Sequence, residues 1–274
     1  MSSNVRMPAV SGYFYPSIAG VLESEIQKYT ESVEKVKNHA IGAVVPHAGY
    51  VYSGATAGAF FGSLTSKYDT VVIIGPNHTG YGHPLSIDAS DAWKSPLGNI
   101  NIDKNFRSSL LKQLGSLGKI DSQAHSMEHS IEVQIPFIQS VLKGVEIVPV
   151  CIGIDSYDLS VALGEAIYLA SKESGRKILV IASSDMTHFL EDDEARTLDN
   201  FAIERILALD SRGLYETVKE KKISMCGYMP ACSLLEYIQR VGTSETVLLD
   251  YSTSADSSGD KSSVVGYAAI AMYK

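Results

Sequence analysis

The sequence predicts an α/β fold in a single domain, 1–274, with a mostly parallel central sheet flanked by helices. Short segments rich in valine and isoleucine alternate along the chain with helical segments of ten or more residues, as in parallel-sheet proteins. The 274 residues are 45% hydrophobic and 20% charged, which is the mix of a globular protein with a sizeable core. The sequence contains no repeat, low-complexity tract or long linker that would divide it into domains.

The spacing of hydrophobic residues predicts each element in turn. The predicted helices are 18–37, 54–64, 104–114, 127–142, 159–171, 191–208, 213–221 and 230–240. The predicted strands are 41–45, 70–74, 145–152, 177–182, 246–249 and 264–272. Pro136 is expected to break or kink the helix that contains it. Gly54, Gly58 and Gly62 lie on one face of the second helix, so another backbone is expected to pack closely there.

Charge and cysteine content exclude several classes of function. The formal net charge is −8 and no basic stripe is visible, which argues against a nucleic-acid or anionic-membrane partner. The three cysteines, Cys151, Cys226 and Cys232, include no CxxC pair, which argues for a reducing compartment and against a zinc ribbon. No apolar run reaches the roughly 18 residues of a membrane span. No signal peptide is recognised either, so a cytoplasmic protein is expected.

Three of the predicted strands end in residues that bind metals or transfer protons. His47, His78, and the pair Asp185 and His188 each follow closely on one of these strands. In an open α/β sheet, ligands bind beyond the carboxyl ends of the strands, so we expect these side chains to line one site. Neutral imidazole binds iron, copper, zinc and nickel. A hydrogen-bonded loop histidine is the ordinary alternative for any single one, but the agreement of three strand ends favours a site.

Two histidines need a further ligand to complete a metal site. The candidates are Asp185, His188, Cys226 and the acids near Asp256. Cys226 lies in a turn before a predicted helix, and a thiolate at a helix N-terminus has a lowered pKa, which favours metal binding. A buried inert thiol is the alternative for Cys226. A plain polar loop is the alternative for the segment around Asp256.

A second constellation competes for the metal. His125, Glu128 and His129 match the motif H-x-x-E-H, in which two histidines four residues apart share a helix face and the acid activates a metal-bound water. The motif is short and Pro136 interrupts its helix, so we expect His129 to form part of a pocket wall instead. The sequence lacks the G-x-S-x-G, P-loop and dinucleotide-binding motifs, which argues against those three classes of enzyme.

Seven ordered blocks of the sequence, which are highly specific when taken together, resemble one known family. They are AVSGYFYP at 9–16, PHAGYVYSG at 46–54, GPNH at 75–78, EHSIEVQ at 128–134, SSDMTH at 183–188, MCG at 225–227 and VVGYAA at 264–269. With these blocks the chain resembles the Memo family, also called AmmeMemoRadiSam system protein B, over almost its whole length.

The resemblance implies a fold like that of the class III extradiol dioxygenases, which use a non-haem iron. It implies that His47, His78 and Cys226 hold the metal. The family's further pocket residues, the candidate catalytic groups, fall on Asp185, His188 and His129. The dioxygenases use a carboxylate as third ligand, so Cys226 departs from that enzyme pattern. A thiolate moves the metal preference towards copper or zinc, with iron as the remaining alternative.

Three functions follow as hypotheses. The first is a cytoplasmic protein with a mononuclear iron or copper site, zinc being the alternative metal, and a redox role. The second is a dioxygenase-like oxidoreductase that acts on a small aromatic substrate, with His188 as acid–base. The third is a site that binds a peptide or protein, with Tyr50, Tyr52, Tyr81 and Tyr228 as candidate contacts. The family's alternative name also implies an association with a radical-SAM protein.

Overall fold

The computed structural model describes residues 4–36, 38–243 and 245–274. Its helices are α1 (Ala19–Thr30), α2 (Tyr50–Ser63), α3 (Lys104–Leu114), α4 (Ile135–Val141), α5 (Tyr157–Ser174), α6 (Asp192–Leu207), α7 (Ser211–Lys221), α8 (Tyr228–Val241) and α9 (Ala255–Ser258). Its strands are β1 (Val5–Arg6), β2 (Ala40–Val45), β3 (Thr70–Pro76), β4 (Leu85–Ile87), β5 (Ala92–Ser95), β6 (Gly98–Asn101), β7 (Lys119–Ile120), β8 (Glu146–Ile152), β9 (Ile178–Ser183), β10 (His188–Leu190), β11 (Glu245–Thr253) and β12 (Val264–Tyr273).

The main sheet has four parallel strands at its centre. Its order is β10-β12-β2-β9-β3-β8-β4-β7, and β11 pairs with β12 outside this path. The strands β2, β9, β3 and β8 run parallel to one another, whereas β12 joins β2 and β4 joins β8 antiparallel. A smaller sheet contains β1, β5 and β6. The predicted α/β fold, with a central parallel sheet flanked by helices, is confirmed. The sheet as a whole is mixed, because the pairings β10–β12, β11–β12, β12–β2 and β4–β8 are antiparallel.

Both faces of the parallel strands are covered by helices. In β3, Val72 and Ile74 face one hydrophobic core, to which α3, α5 and α8 contribute. The alternate residues Val71 and Ile73 face a second core, which is formed with α1, α2 and α4. A parallel sheet buried on both faces needs apolar residues at consecutive positions, which explains the Val- and Ile-rich strands. None of the helices in the described part of the chain has the length and apolar character that a bilayer crossing requires.

Two of the predicted helices are shorter than expected. The first ends at Thr30, and Lys37, its predicted last residue, lies outside the described residues. The helix predicted over 127–142 is wrong in its first half, because only α4 and a 3₁₀ turn at Glu132–Gln134 are helical there. Pro136 lies in the first turn of α4, where its missing N–H leaves no hydrogen bond unmade, so it starts this helix instead of breaking it.

The glycine face of α2 packs against α1, as predicted. A Cβ atom on Gly58 would lie 2.5 Å from the carbonyl oxygen of Tyr29, and one on Gly62 would lie 2.8 Å from that of Thr30. A Cβ atom on Gly54 would lie 2.5 Å from Cε2 of the Tyr29 ring. The hydroxyl of Tyr29 donates to the carbonyl of Tyr50 at 3.0 Å, so α1 also fixes the first turn of α2.

The substitution Gly58→Ala is expected to destabilise the protein by about 1–3 kcal/mol. The added methyl group would clash with the backbone of α1 at Tyr29, which can shift only if the whole helix moves. Gly20→Ala in α1 is the matched control, since a Cβ there meets nothing within 4 Å. That change is expected to stabilise by about 0.5–1 kcal/mol. Urea unfolding of both variants measures the difference, and equal midpoints would contradict the close helix contact.

Candidate metal centre

The loops that follow β2, β3 and β9 meet at one edge of the sheet. His47, His78 and Asp185 each lie two residues beyond the end of a strand, and the three strands are parallel neighbours. The backbone N–H groups of His47 and Ala48 both donate to Oδ1 of Asp185, at 2.7 and 3.2 Å. The β9 carboxylate therefore holds the β2 loop in position.

Three imidazoles converge at this edge. One ring nitrogen from each of His47, His78 and His129 lies within 4.8 Å of the others. The His78 and His129 rings are stacked with centroids 4.7 Å apart. The His47 ring meets both edge-on, at 5.3 and 5.4 Å. The arrangement places the nitrogen atoms of three side chains, distant in sequence, around a common point.

One buried carboxylate hydrogen-bonds one of these rings and lies near a second. Oε1 of Glu128 lies 2.9 Å from Nδ1 of His78 and 3.5 Å from Nδ1 of His129. Its Oε2 accepts the backbone N–H of His78 at 2.6 Å. Burial would raise the pKa of Glu128, but the hydrogen bonds and charges of its partners, His78 first among them, lower it to about 2. Because Nδ1 of His78 faces a carboxylate, Nε2 is left to bind a metal.

His47 lies deepest in the cluster. Only 1% of the residue is exposed. Burial, followed by the neighbouring histidines His129 and His78, lowers its pKa well below the usual value. The neutral imidazole that results is the form that binds metals. Its Nδ1 lies 2.9 Å from Oγ of Ser183, and its Nε2 lies 3.3 Å from Sγ of Cys226.

Cys226 contacts His47 from the turn before α8, but it is not one of the three residues whose donor atoms all lie within 4.8 Å of one another. The backbone N–H of Asp185 donates to its sulfur at 3.3 Å, and the N–H of Gly227 donates to Oγ of Ser184 at 2.9 Å. A Cβ on Gly227 would lie 2.4 Å from the carbonyl oxygen of Ser183, so this close approach requires glycine. The lowered pKa expected at a helix N-terminus is wrong for the metal-free thiol, because burial and the Asp185 charge raise the pKa of Cys226. A bound cation reverses this balance and deprotonates a coordinating thiol.

Asp185 and His188 flank the cluster. Burial raises the pKa of Asp185 to about 6, against the lowering effect of the hydrogen bond from His47. The backbone N–H of His188 donates to Oγ of Ser224 at 2.7 Å, and its Nδ1 lies 3.0 Å from the Ser224 carbonyl oxygen. Since a carbonyl only accepts, His188 carries its proton on Nδ1 and keeps Nε2 available. His188 is thus anchored to the α7–α8 connection, at the margin of the cluster.

The H-x-x-E-H segment does not form the helical zinc motif. His125 lies in a 3₁₀ turn, fully buried, with its Nε2 3.3 Å from the carbonyl of Ser86. It is not part of the group of three histidines. Of the motif, Glu128 and His129 alone contribute to the cluster, and they do so from a loop. The physical reason is that Oε1 of Glu128 accepts the backbone N–H of Ser130, two residues later, at 2.9 Å, which favours a turn over a helix.

Asp256, considered above as a possible metal ligand, instead connects two helices. Asp256 lies in α9, within the segment expected to be a loop, and accepts the N–H of Thr253 at 2.8 Å. Both of its carboxylate oxygens lie 3.4 Å from a guanidinium nitrogen of Arg196. These contacts tie α9 to α6, and Asp256 is not in the histidine group.

A buried ion pair supports the cluster from outside and was missed in the sequence. Arg6 pairs with Glu132, and its other nitrogens donate to the carbonyl oxygens of His125 at 3.0 Å and Glu128 at 2.8 Å. Glu132 in turn accepts the Tyr15 hydroxyl at 2.7 Å. The pair thereby clamps the N-terminal segment onto the loop that carries Glu128 and His129. The signal available was a single arginine, Arg6, just before the block at 9–16, and Glu132 within the block at 128–134.

The donor set suits a transition metal. Imidazole nitrogen and thiolate sulfur bind zinc, copper and iron, whereas magnesium and calcium prefer oxygen ligands. The rings of His47 and His78 have Nδ1 engaged, so their free nitrogens are aimed by hydrogen bonds on the far side of each ring. A cluster that could hold one metal ion is therefore present.

Comparison with known proteins relates the chain to one family. A family model described as "Memo-like protein" matches residues 6–271. A MEMO1 family protein of Methanosarcina acetivorans is 42% identical over 267 residues, covering 97% of this chain and 98% of that protein. A MEMO1 family protein of Desulfurococcus amylolyticus is 42% identical over 281 residues, covering 98% and 99%.

A solved structure shares the fold. The uncharacterized protein JW3007 from Escherichia coli K12 superimposes with a TM-score of 0.56 at 13% sequence identity. The similarity covers 84% of this chain and 98% of that one. At this level of identity the likeness concerns the arrangement of strands and helices alone.

The substitution Arg6→Ala is expected to destabilise the protein by about 3–5 kcal/mol, because it leaves the Glu132 carboxylate buried without its partner. Arg212→Ala is the matched control, since Arg212 pairs with Glu216 in solvent and its loss should change stability far less. Denaturant unfolding of the two variants tests this difference. If both shift the midpoint equally, the buried pair does not support the loop.

Proposed function

The chain belongs to the Memo-like protein family, and we propose that it is a metal-binding protein with one transition-metal ion held by His47, His78 and Cys226. His129 lies beside these residues and is the alternative third or fourth ligand. The observation that carries the proposal is the meeting of three imidazoles at one edge of the sheet, with the Cys226 thiol in contact with one of them. Chance rarely brings so many nitrogen and sulfur donors together without a ligand to hold.

Cys226 supports the proposal through its contact with His47. The two donor atoms, Sγ of Cys226 and Nε2 of His47, lie 3.3 Å apart, so a separation of a few tenths of an ångström more would place them at the roughly 3.6 Å of two ligands on one tetrahedral ion. The thiol is also held by the Asp185 N–H, so it does not swing freely. Three imidazoles without sulfur would also bind zinc, and the experiment below separates the two ligand sets.

We propose iron or copper as the metal, with zinc as the alternative. A mixed nitrogen and sulfur donor set is soft enough for copper and zinc and also binds iron. When bound, iron or copper would supply one-electron redox chemistry, and we therefore propose a redox role for the centre. The chain's own residues would exchange protons nearby: Asp185 at a carboxylate oxygen, and His188 by accepting a proton at its available Nε2. The three unpaired cysteines of the sequence favour the reducing cytoplasm as the compartment.

A dioxygenase-like oxidoreductase is the second candidate function. It is supported by the buried Asp185 carboxyl group beside the histidines, which gives the centre an acid–base residue in addition to its metal ligands. Fold likeness alone would be a weak argument for an activity. Oxygen uptake by the iron-loaded protein in the presence of catechols is the measurement that separates it from a protein that only binds metal.

Cys226→Ser is expected to weaken metal binding by about 10-fold or more and to abolish sulfur ligation, because serine is a poor ligand for soft metals. His47→Ala should have at least as large an effect. Protein purified without oxygen and titrated with cobalt(II) shows sulfur ligation directly, as near-ultraviolet charge-transfer absorption. The wild type should display this absorption with about one ion per chain, and Cys226→Ser should lack it.

Cys232→Ser is the matched control, because Cys232 is a buried thiol in α8 that donates to the Ser211 carbonyl, outside the histidine group. It should leave cobalt binding unchanged. Equal metal content in the wild type and in both site variants would overturn the proposed function. Loss of binding in His129→Ala, combined with full binding in Cys226→Ser, would assign the three histidines as the ligand set instead.

A further inference from the structure

The hydrogen bonds around Ser183 determine which nitrogen of His47 carries the proton. They begin at the carbonyl oxygen of Pro46, which lies 2.8 Å from Nε2 of Gln134. A carbonyl oxygen only accepts, so the amide nitrogen of Gln134, and not its oxygen, must face it. This contact fixes the orientation of the Gln134 side chain, which is fully buried.

The second N–H of Gln134 is directed at Ser183. Nε2 of Gln134 lies 2.9 Å from Oγ of Ser183, so the hydroxyl oxygen accepts a hydrogen bond there. The carbonyl oxygen of Ser130 lies 2.6 Å from the same Oγ on another side. Because that carbonyl cannot donate, it takes the only proton that the Ser183 hydroxyl has.

His47 is the third neighbour of this hydroxyl. Its Nδ1 lies 2.9 Å from Oγ of Ser183, whose proton is already used. The remaining lone pair of the oxygen can only accept, so Nδ1 of His47 must donate. We infer that Ser183 is a positioning residue that holds His47 in its Nδ1–H tautomer and thereby turns the lone pair of Nε2 towards Cys226 and the centre.

The position of Ser183 in the sheet makes this arrangement rigid. Ser183 is the last residue of β9 and pairs in register with Val45, two residues before His47. The strand pairing therefore sets the distance between hydroxyl and imidazole, whereas His78 and His129 depend on Glu128 from a loop. A hydroxyl is also a neutral partner, so it fixes the tautomer of the fully buried His47 without favouring the charged imidazolium.

The consequence for metal binding rests on the proposed function. A ring nitrogen that carries a proton cannot bind a metal, so the tautomer set by Ser183 prepares Nε2 of His47 as a ligand. The tautomer itself is a property of the metal-free protein. It can be measured whether or not a metal binds.

The direct test is the nitrogen-15 spectrum of the histidine side chains in the metal-free, full-length protein. The two tautomers of a neutral imidazole give distinct shifts and couplings, and His47 is assigned by the loss of its signals in His47→Gln. We expect the wild type to show His47 protonated at Nδ1. A His47 ring protonated at Nε2, or charged at neutral pH, would overturn the inference.

Ser183→Thr and Ser183→Val form a matched pair, because their side chains have nearly the same shape and only threonine keeps the hydroxyl. Ser183→Val should shift His47 towards a mixture of tautomers and weaken zinc binding by about 10–100-fold, measured by competition with a chelating dye. Ser183→Thr should preserve the tautomer and bind zinc within about threefold of the wild type. Identical tautomers and zinc affinities in the two variants would contradict the role of the hydroxyl.

Ser233→Ala controls for the loss of a buried hydroxyl elsewhere, since Ser233 is fully buried in α8 and donates to the Met229 carbonyl. It should change neither readout. If the wild type binds no zinc yet has His47 protonated at Nδ1, the proposed metal function fails while the role of Ser183 stands. If it binds zinc with His47 in the other tautomer, the reverse holds.

Discussion

The parallel pairing of β2, β9 and β3 is the constraint on which the candidate centre depends. Parallel strands have their carboxyl ends at the same edge of the sheet. The last residues of β2, β3 and β9, at positions 45, 76 and 183, therefore lie at one edge, although more than a hundred residues separate the first from the last. Each strand then contributes a polar side chain two residues later. The sheet is buried on both faces and its register is strongly specified. The register in turn fixes the positions at which the loops begin.

A second layer of hydrogen bonds converts this proximity into a defined cluster. The carboxylate of Glu128 orients His78, the hydroxyl of Ser183 contacts His47, and the carboxylate of Asp185 holds the backbone of His47. All three partners are buried, so removing one would leave polar groups unpaired in the interior, which is costly. The three histidines are therefore brought together before any ion arrives.

The parts of this arrangement that depend on local pattern could be predicted from the sequence. The strand ends placed His47 and His78 together with Asp185, because the rule for parallel sheets needs only the order of strands and loops. The glycine face of α2 was predicted from the helical spacing of Gly54, Gly58 and Gly62. The residues alone offered Cys226 as one of several further ligands and His129 as part of a pocket wall. The family resemblance selected Cys226 as the ligand, since a turn before a helix does not say what it will contact.

The contacts that could not be predicted join residues distant in sequence. Arg6 and Glu132 meet across 126 residues, and Ser183 meets Ser130 across 53. Propensity and periodicity describe neighbours along the chain and carry no information about such pairs. The misassigned helix over 127–142 has the same origin, because Glu128 and Glu132 direct their side chains inward to partners that the local sequence does not reveal.

A crystal structure of the zinc-loaded protein, with diffraction measured on both sides of the zinc absorption edge, tests the central claim most directly. The account predicts one strong anomalous peak bonded to Nε2 of His47 and Nε2 of His78 at about 2.0–2.1 Å, and to Sγ of Cys226 at about 2.3 Å. Anomalous peaks confined to the protein surface, with the histidine cluster empty in zinc-saturated crystals, would contradict it.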